Sequence, residues 1–531
     1  MKAHRLALVA AVVVGALLRI HGLGAQVVKD DEFHGLQATA KLGLVDLAAR
    51  RTPHGFHVDY SVPLALWNRM LLQTTGLDEW GLRLPVLLGG ILLVPVVGLA
   101  VGRRAGRFEG AVTAWLLALS PPLILYSRFA RPYDLVALLS FLALVSWLRW
   151  RREADWRFGV GSSGAGAAAV WLNLVAAPAV VAVWGLGFVT ALWRRGHPSS
   201  AATARRWAGF VALGLALMLL LLWPSFESLF AFVAKKAQSD RPSLASLWGG
   251  AQMLFGTKHS AVLAALLALT GIGGWMLHRS APLLASGLVL MAISQGVALY
   301  VIAPKGFDDP IVLARYLFPA LPGLLAFAGV GLARSALMGG PLGRFVPAGL
   351  AALGLAVLFG VGPGPALYSG PNAYTSHPFH YAPAHWNVRT DRVPSYYTKL
   401  ADDSRVTSVV EAPWILEWWR TIYGDYQRIH GKPVTTLSAV STFAVSGMSL
   451  RTVTSLERVA PGFEGFEVIV VHKDIVREWL HVTGVSAPDI FEHWTTPLYA
   501  SDAATVLEEC MESAALRLVH EDDWIAVFER R

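Results

Sequence analysis

Apolar runs of close to 20 residues recur along this chain, each about the length a helix needs to cross a hydrocarbon core of roughly 30 Å. Polar loops separate them. In such a core every backbone N–H and C=O must be satisfied within its own segment, so the runs read as transmembrane helices. The composition agrees: 54% of the 531 residues are AVILMFWYC and 15% are charged, with a mean hydropathy of +0.49. A soluble globular enzyme and a disordered chain are excluded. The net charge of +9 does not mark a nucleic-acid binder, because the Lys and Arg lie between apolar segments rather than on one face. Cys510 is the single cysteine, which excludes an intrachain disulfide framework and a Cys-based zinc site.

Eleven spans are expected, near 6–27, 82–101, 110–127, 133–149, 158–172, 175–193, 207–223, 260–277, 282–303, 313–332 and 345–362. The first reads as a retained span rather than a cleaved signal, since the Gly22–Ala25 stretch is a poor cleavage site and more spans follow. Loop charge tests the count, because inside loops collect Lys and Arg. With the N-terminus inside, the inside loops carry Arg103, Arg104 and Arg107, then Arg149, Arg151, Arg152 and Arg157. Arg194, Arg195, Arg205 and Arg206, then Arg279, then Arg334 and Arg344 continue the series. The pattern requires 158–193 to be two short helices divided near Asn173. The acids fall mainly outside: a long loop over 28–81, Asp134, Glu227 with Asp240, and Asp308 with Asp309. Chemistry that needs carboxylates is therefore expected on the extracytoplasmic face.

Past Gly362-Pro363-Gly364-Pro365 the chain turns polar, and residues 366–531 read as a soluble α/β domain. Strands are expected at Val406–Val410, Phe466–Val471 and Trp524–Phe528, and helices at Val476–Val482 and Val506–Leu516.

Four segments could carry chemistry. Lys29-Asp30-Asp31-Glu32-Phe33-His34 places three adjacent carboxylates at the membrane edge. They suit a general base or a metal site, and equally a polar stop with a helix cap. Ser127-Arg128-Phe129-Ala130-Arg131-Pro132-Tyr133-Asp134 is a short external turn with two guanidinium groups and an acid. It suits a lipid phosphate, and equally two snorkelling arginines beside a helix N-terminal charge. Arg315, with Lys305 upstream, enters a late span, where an interfacial Arg is a functional hypothesis or a headgroup anchor. His54, His57 and Asp59 have spacings that could ligate a metal, though substrate contact or plain surface polarity accounts for them better.

The order and sidedness of these segments resemble the GT-C glycosyltransferases of the protein O-mannosyltransferase and aminoarabinose transferase type. The resemblance covers about residues 1–365. It is carried by the acidic pair after the first span, by Gly81-Leu82-Arg83-Leu84-Pro85, by the Ser127–Asp134 segment, and by Ala314-Arg315-Tyr316-Leu317-Phe318-Pro319-Ala320-Leu321-Pro322. It implies a mostly helical GT-C fold over 1–365; the charge pattern puts the 366–531 domain on the extracytoplasmic side, and the abundance of Ala, Leu, Gly and Arg fits a bacterium, so a bacterial inner membrane is expected. The resemblance implies a polyprenyl-phosphate-linked sugar as donor and a lipid, glycan or protein acceptor. Asp31 and Glu32 match the catalytic pair, with Asp30 an extra acid that could shift the assignment by one. Asp134 matches a second catalytic acid, and Arg128, Arg131 and Arg315 match positions that hold the donor phosphate, with Lys305 assisting. Some relatives use a divalent metal and others do not, so a metal stays open. A lipid-linked-sugar transporter and a non-catalytic envelope protein are the competing readings. The transporter would show paired repeats and broken helices at the midplane, whereas these charges gather at one face.

Overall fold

The computed structural model describes residues 2–23, 42–50, 60–75, 79–192, 200–236, 241–257, 259–304, 306–337, 388–406, 409–412, 467–483 and 497–531. It also describes Glu32, Gly35, Thr39, Ile422, Tyr426, Ile429, His430 and Lys432. The chain forms two compact units: 1–23, 44–66 and 83–367 make the first, and 24–43, 67–82 and 368–531 the second.

The first unit is helical. Its elements are α1 (Lys2–Ile20), α2 (Leu44–Ala49), α3 (Val62–Thr74), α4 (Glu79–Gly102), α5 (Arg107–Leu119), α6 (Pro121–Ser127), α7 (Tyr133–Glu153) and α8 (Trp156–Leu172). These are followed by α9 (Ala177–Leu192), α10 (Ser200–Leu222), α11 (Phe226–Lys236), α12 (Leu244–Phe255), α13 (Ser260–Ser280), α14 (Pro282–Ile302), α15 (Pro310–Leu317) and α16 (Leu321–Leu337). The ends of α3 and α4 that face each other in sequence, from Trp67 and up to Leu82, belong to the second unit.

Among the described residues, seven helices are long and apolar enough to span a membrane, or eight if the bent pair α5–α6 is one span. The chain is an integral membrane protein. The expected first span is α1, and the expected span 158–172 is the 17-residue α8; neither is among those seven or eight. The expected span 345–362 lies outside the described residues. At Asn173 the chain does divide: its side chain accepts from Val175 N at 3.1 Å, and a 3-10 turn, Leu174–Ala176, leads into α9. The expected span 110–127 falls on α5 and α6, which are bent by 59° where they meet. Pro121 and Pro122 supply no N–H for the helix to continue through Ser120.

Small residues let the helices of this unit approach closely, as membrane packing requires. A Cβ on Gly98 would sit 3.0 Å from that of Ala114, and one on Gly110 would lie 2.6 Å from the Gly102 Cα. Gly273 of α13 and Gly331 of α16 likewise bring the two backbones together, the amide nitrogen of Gly331 lying 2.6 Å from a Cβ built on Gly273. At the basic end of the bundle, Glu109 pairs with Arg334 at 2.6 Å.

The second unit contains α17 (Ser395–Asp402), β1 (Val409–Ala412), β2 (Val468–His472), α18 (Ile475–Thr483), α19 (Pro497–Glu512), β3 (Leu516–Glu521) and β4 (Ile525–Arg530). The sheet order is β1-β2-β4-β3, with β1 parallel to β2 and the other pairs antiparallel. Alternate residues serve two cores, as the two-residue period of a strand demands. Val468 and Val470 join Tyr397, Leu400 and Trp479 on one face. Val471 and Phe528 join Val506 and Cys510 on the other. The expected strands at Val406–Val410, Phe466–Val471 and Trp524–Phe528 overlap β1, β2 and β4, each of which begins later than expected. The expected helix end at Leu516 is instead the first residue of β3, an edge strand.

Candidate functional site

In the first unit, the turn between α6 and α7 forms because Pro132 fixes the first turn of α7 while Arg128 N closes α6 onto Leu125 O at 3.0 Å. The turn places Ser127 and Asp134 side by side, and the Ser127 hydroxyl lies against Asp134 Oδ2. Both side chains are fully buried. Asp134 Oδ1 has no hydrogen-bond partner among the described residues. A buried carboxylate oxygen left open in this way is costly, which makes it a candidate reactive or ligand-holding group. The room it occupies is made by Gly90 of α4: a Cβ there would collide with Ser127 Oγ and the Asp134 carboxylate.

Arg128 and Arg131 lie in this turn, and Arg19 and Arg315 bond to side chains of α6 just before it. Arg19, wholly buried, donates from Nε to Ser127 Oγ at 3.0 Å. Arg128 is buried and donates from Nη1 to Arg19 O at 3.1 Å and to His21 O, so it closes the last carbonyls of α1. Arg131 is buried in the same turn. Arg315, 189 residues away in sequence, donates from Nε to the Tyr126 hydroxyl at 3.1 Å. The Tyr126 ring meets Tyr133 at 4.7 Å and Phe318 at 5.0 Å. This aromatic cluster joins α6, α7 and the turn that follows α15. The structure therefore holds Arg128, Arg131 and Asp134 in one buried turn, and joins Arg315, from a separate motif of the sequence, to the Tyr126 that precedes it.

Of the remaining expected site residues, Glu32 belongs to the second unit and is buried there. Asp30, Asp31, His54, His57 and Lys305 lie outside the described residues. No group of three or more His, Cys, Asp or Glu that could hold a metal occurs among the described residues.

Sequence reasoning passed over Arg19. The signal was present, since an Arg inside a first span is by default a functional hypothesis. It also passed over a buried network in the second unit. His472 Nε2 meets Glu411 Oε2 at 2.8 Å, and its Nδ1 meets Glu478 Oε2 at 2.7 Å. The Tyr397 hydroxyl donates to Glu411 Oε2 at 2.9 Å and the Tyr426 hydroxyl to Glu478 Oε1 at 2.6 Å. Burial alone would push the imidazole down, but Glu478 and the hydrogen bonds to both carboxylates hold it up at about 10. Burial raises Glu411, against the hydrogen bond from His472. With no exposed atom in His472 and almost none in the glutamates, this is an internal ion cluster.

No protein-family model and no curated protein matches the chain. Among solved structures it matches ArnT from Cupriavidus metallidurans in the apo state, at 15% identity and a TM-score of 0.49, over 98% of this chain and 97% of that one. The archaeal oligosaccharyltransferase AglB from Archaeoglobus fulgidus, in complex with an inhibitory peptide and a dolichol-phosphate, matches at 11% identity and a TM-score of 0.40, over 88% of this chain and 69% of that one. Arabinofuranosyltransferase AftD from Mycobacteria matches at 15% identity and a TM-score of 0.43, over 100% of this chain and 40% of that one.

Proposed function

We propose that the chain is an integral-membrane glycosyltransferase that moves a sugar from a polyprenyl-phosphate-linked donor to an acceptor hydroxyl at the extracytoplasmic face. The observation that carries the reading is the Asp134 carboxylate, buried in the first turn of a span with Oδ1 open, in a turn that also carries the buried Arg128 and Arg131 and is tied to Arg19 through Ser127. A polyprenyl-phosphate leaving group develops negative charge, and cations fixed in a low-dielectric site stabilise it. A hydroxyl is a weak nucleophile and needs a carboxylate to take its proton. The acceptor oxygen attacks the anomeric carbon, the bond from that carbon to the phosphate oxygen breaks, and the hydroxyl proton passes to a carboxylate. The configuration inverts.

Asp31 is proposed as that base, with Asp30 and Glu32 beside it in sequence, and Asp134 as the second acid. Arg128, Arg131, Arg315 and Lys305 are proposed to hold the phosphate, and His54 and His57 to contact substrate. The basic loops Arg103–Arg107 and Arg149–Arg157 support an inside N-terminus, and Asp134 and the 366–531 domain are proposed to lie outside.

The test is a transfer assay in nanodiscs with a panel of polyprenyl-phosphate sugars and a membrane lipid and glycan extract as acceptor, read by mass spectrometry. Donor consumption and a new glycosylated product are expected from the wild type, with both lost in Asp31→Asn. No consumption of any donor by folded protein, across acceptor extracts of several membranes, would reject the reading.

A further inference from the structure

The bend between α5 and α6 leaves two backbone acceptors without their usual donors. In a continuous α-helix the N–H of residue 121 bonds the carbonyl of Leu117, and that of residue 122 bonds the carbonyl of Ala118. Both residues are proline and carry no N–H. A buried carbonyl without a donor costs about 1–3 kcal/mol.

Arg19 fills both vacancies from another helix. Its Nη2 donates to Leu117 O at 3.1 Å and its Nη1 to Ala118 O at 3.1 Å. Nη1 also donates to Gly15 O at 2.9 Å, within its own helix. The remaining edge of the fork, Nε, donates to Ser127 Oγ at 3.0 Å. That hydroxyl is also 2.5 Å from Leu123 O and touches Asp134 Oδ2. One rigid planar group thus spans the bend and the acid that follows it. A buried guanidinium, which cannot lose its proton, demands a nearby negative charge. The Asp134 carboxylate, one hydroxyl away, is that charge.

We propose that Arg19 is the positioning residue of the Asp134 site: its guanidinium replaces the two amide donors that Pro121 and Pro122 lack, and through Ser127 it fixes where the Asp134 carboxylate stands. Its catalytic consequence rests on the glycosyltransferase reading; its geometric part does not.

The experiment compares Arg19→Lys, Arg19→Ala, and Arg19→Ala combined with Pro121→Ala and Pro122→Ala, in full-length protein in nanodiscs. Lys keeps the charge but is a point donor that cannot span two carbonyls and a hydroxyl. Arg19→Lys and Arg19→Ala are expected to lower kcat about 100-fold, the cost of a misplacement near 1 Å, with KM for the donor little changed. Restoring the two N–H groups in the triple variant is expected to recover thermal stability while kcat stays low. Wild-type kcat in Arg19→Ala, or recovery of kcat together with stability in the triple variant, would overturn the positioning role. A readout independent of turnover is the infrared carboxyl stretch assigned to Asp134 by its loss in Asp134→Asn. It is expected to shift in all three variants, and an unshifted band would overturn the proposal. If the wild type turns over no donor but the band shifts, the transfer reading fails and the positioning of Asp134 by Arg19 stands.

Discussion

Asp134 and Gly90 show how single residues set this site. The Asp134 carboxylate has one oxygen held by Ser127 and the other open, so its shape and its charge can be separated experimentally. Asp134→Asn keeps the Ser127 contact and removes the charge. It is expected to lower transfer by about 10²–10⁴-fold, the range for an acid–base group, and to lower the melting temperature, because the buried Arg19 guanidinium loses its counter-charge. Gly90→Ala does the reverse, leaving the charge but pushing a Cβ into Ser127 and Asp134. It is expected to cost about 1–3 kcal/mol of stability and to lower kcat, read by thermal melting and donor turnover on the same sample. Residue types at this site were legible in the sequence, because arginines and an acid at the edge of an apolar run stand out against their surroundings. Their partners were not. Arg315 meets Tyr126 across 189 residues, and no local period encodes a contact of that range. Arg19 was hidden by its neighbours, since one Arg in a run such as Ala16-Leu17-Leu18-Arg19-Ile20 leaves the run apolar enough to read as a span.

The helices of the first unit are interrupted where the sequence withholds a donor or supplies a competing one. Asn173 caps the turn that separates α8 from α9, and a polar amide between two apolar stretches made that break readable. The Pro121-Pro122 break is just as explicit in sequence, yet the apolar run continues through it, so hydropathy alone joins α5 to α6. Gln295 of α14 reaches two of these interruptions: its Nε2 donates to Val175 O and to Tyr316 O, both at 2.7 Å. Gln295→Met, close in volume, should remove both hydrogen bonds. A loss of about 1–3 kcal/mol is expected in the thermal stability of the nanodisc-embedded protein. An unchanged melt would mean those carbonyls find other donors. In the second unit β3 went unread because an edge strand carries little apolar signal. Its side chains after Leu516 are exposed or half-buried, and the register slips between Leu518 and His520.

The molecule combines a helical membrane unit with a unit whose sheet is centred on a buried charge. That difference predicts separable responses to pH. His472 gains its partners only on folding, and its folded value of about 10 lies above the ordinary 6.5. Its contribution is therefore complete below about pH 6.5 and is lost as pH rises through about 10. The raised Glu411 acts in the same direction, because the folded state again holds the proton more tightly. Removing one partner of a buried ion pair costs about 3–5 kcal/mol, the loss expected for His472→Ala. Cys510 reports on this unit, since it is buried in the second core and its thiol is pushed up to about 12 by burial and Glu509. Maleimide labelling of Cys510 in the intact protein is expected to be slow at pH 7 and fast in His472→Ala. Fast labelling of the wild type at pH 7 would show that this core is open.

The central claim, that a buried carboxylate among guanidinium groups transfers a lipid-linked sugar, is tested most directly by donor consumption in wild type and Asp134→Asn side by side. Both are placed in nanodiscs at matched concentration and assayed below the melting temperature of each, with the polyprenyl-phosphate sugar followed by mass spectrometry. The account predicts steady consumption by the wild type and a fall of at least about 100-fold in the variant. Equal consumption by the two proteins would contradict it.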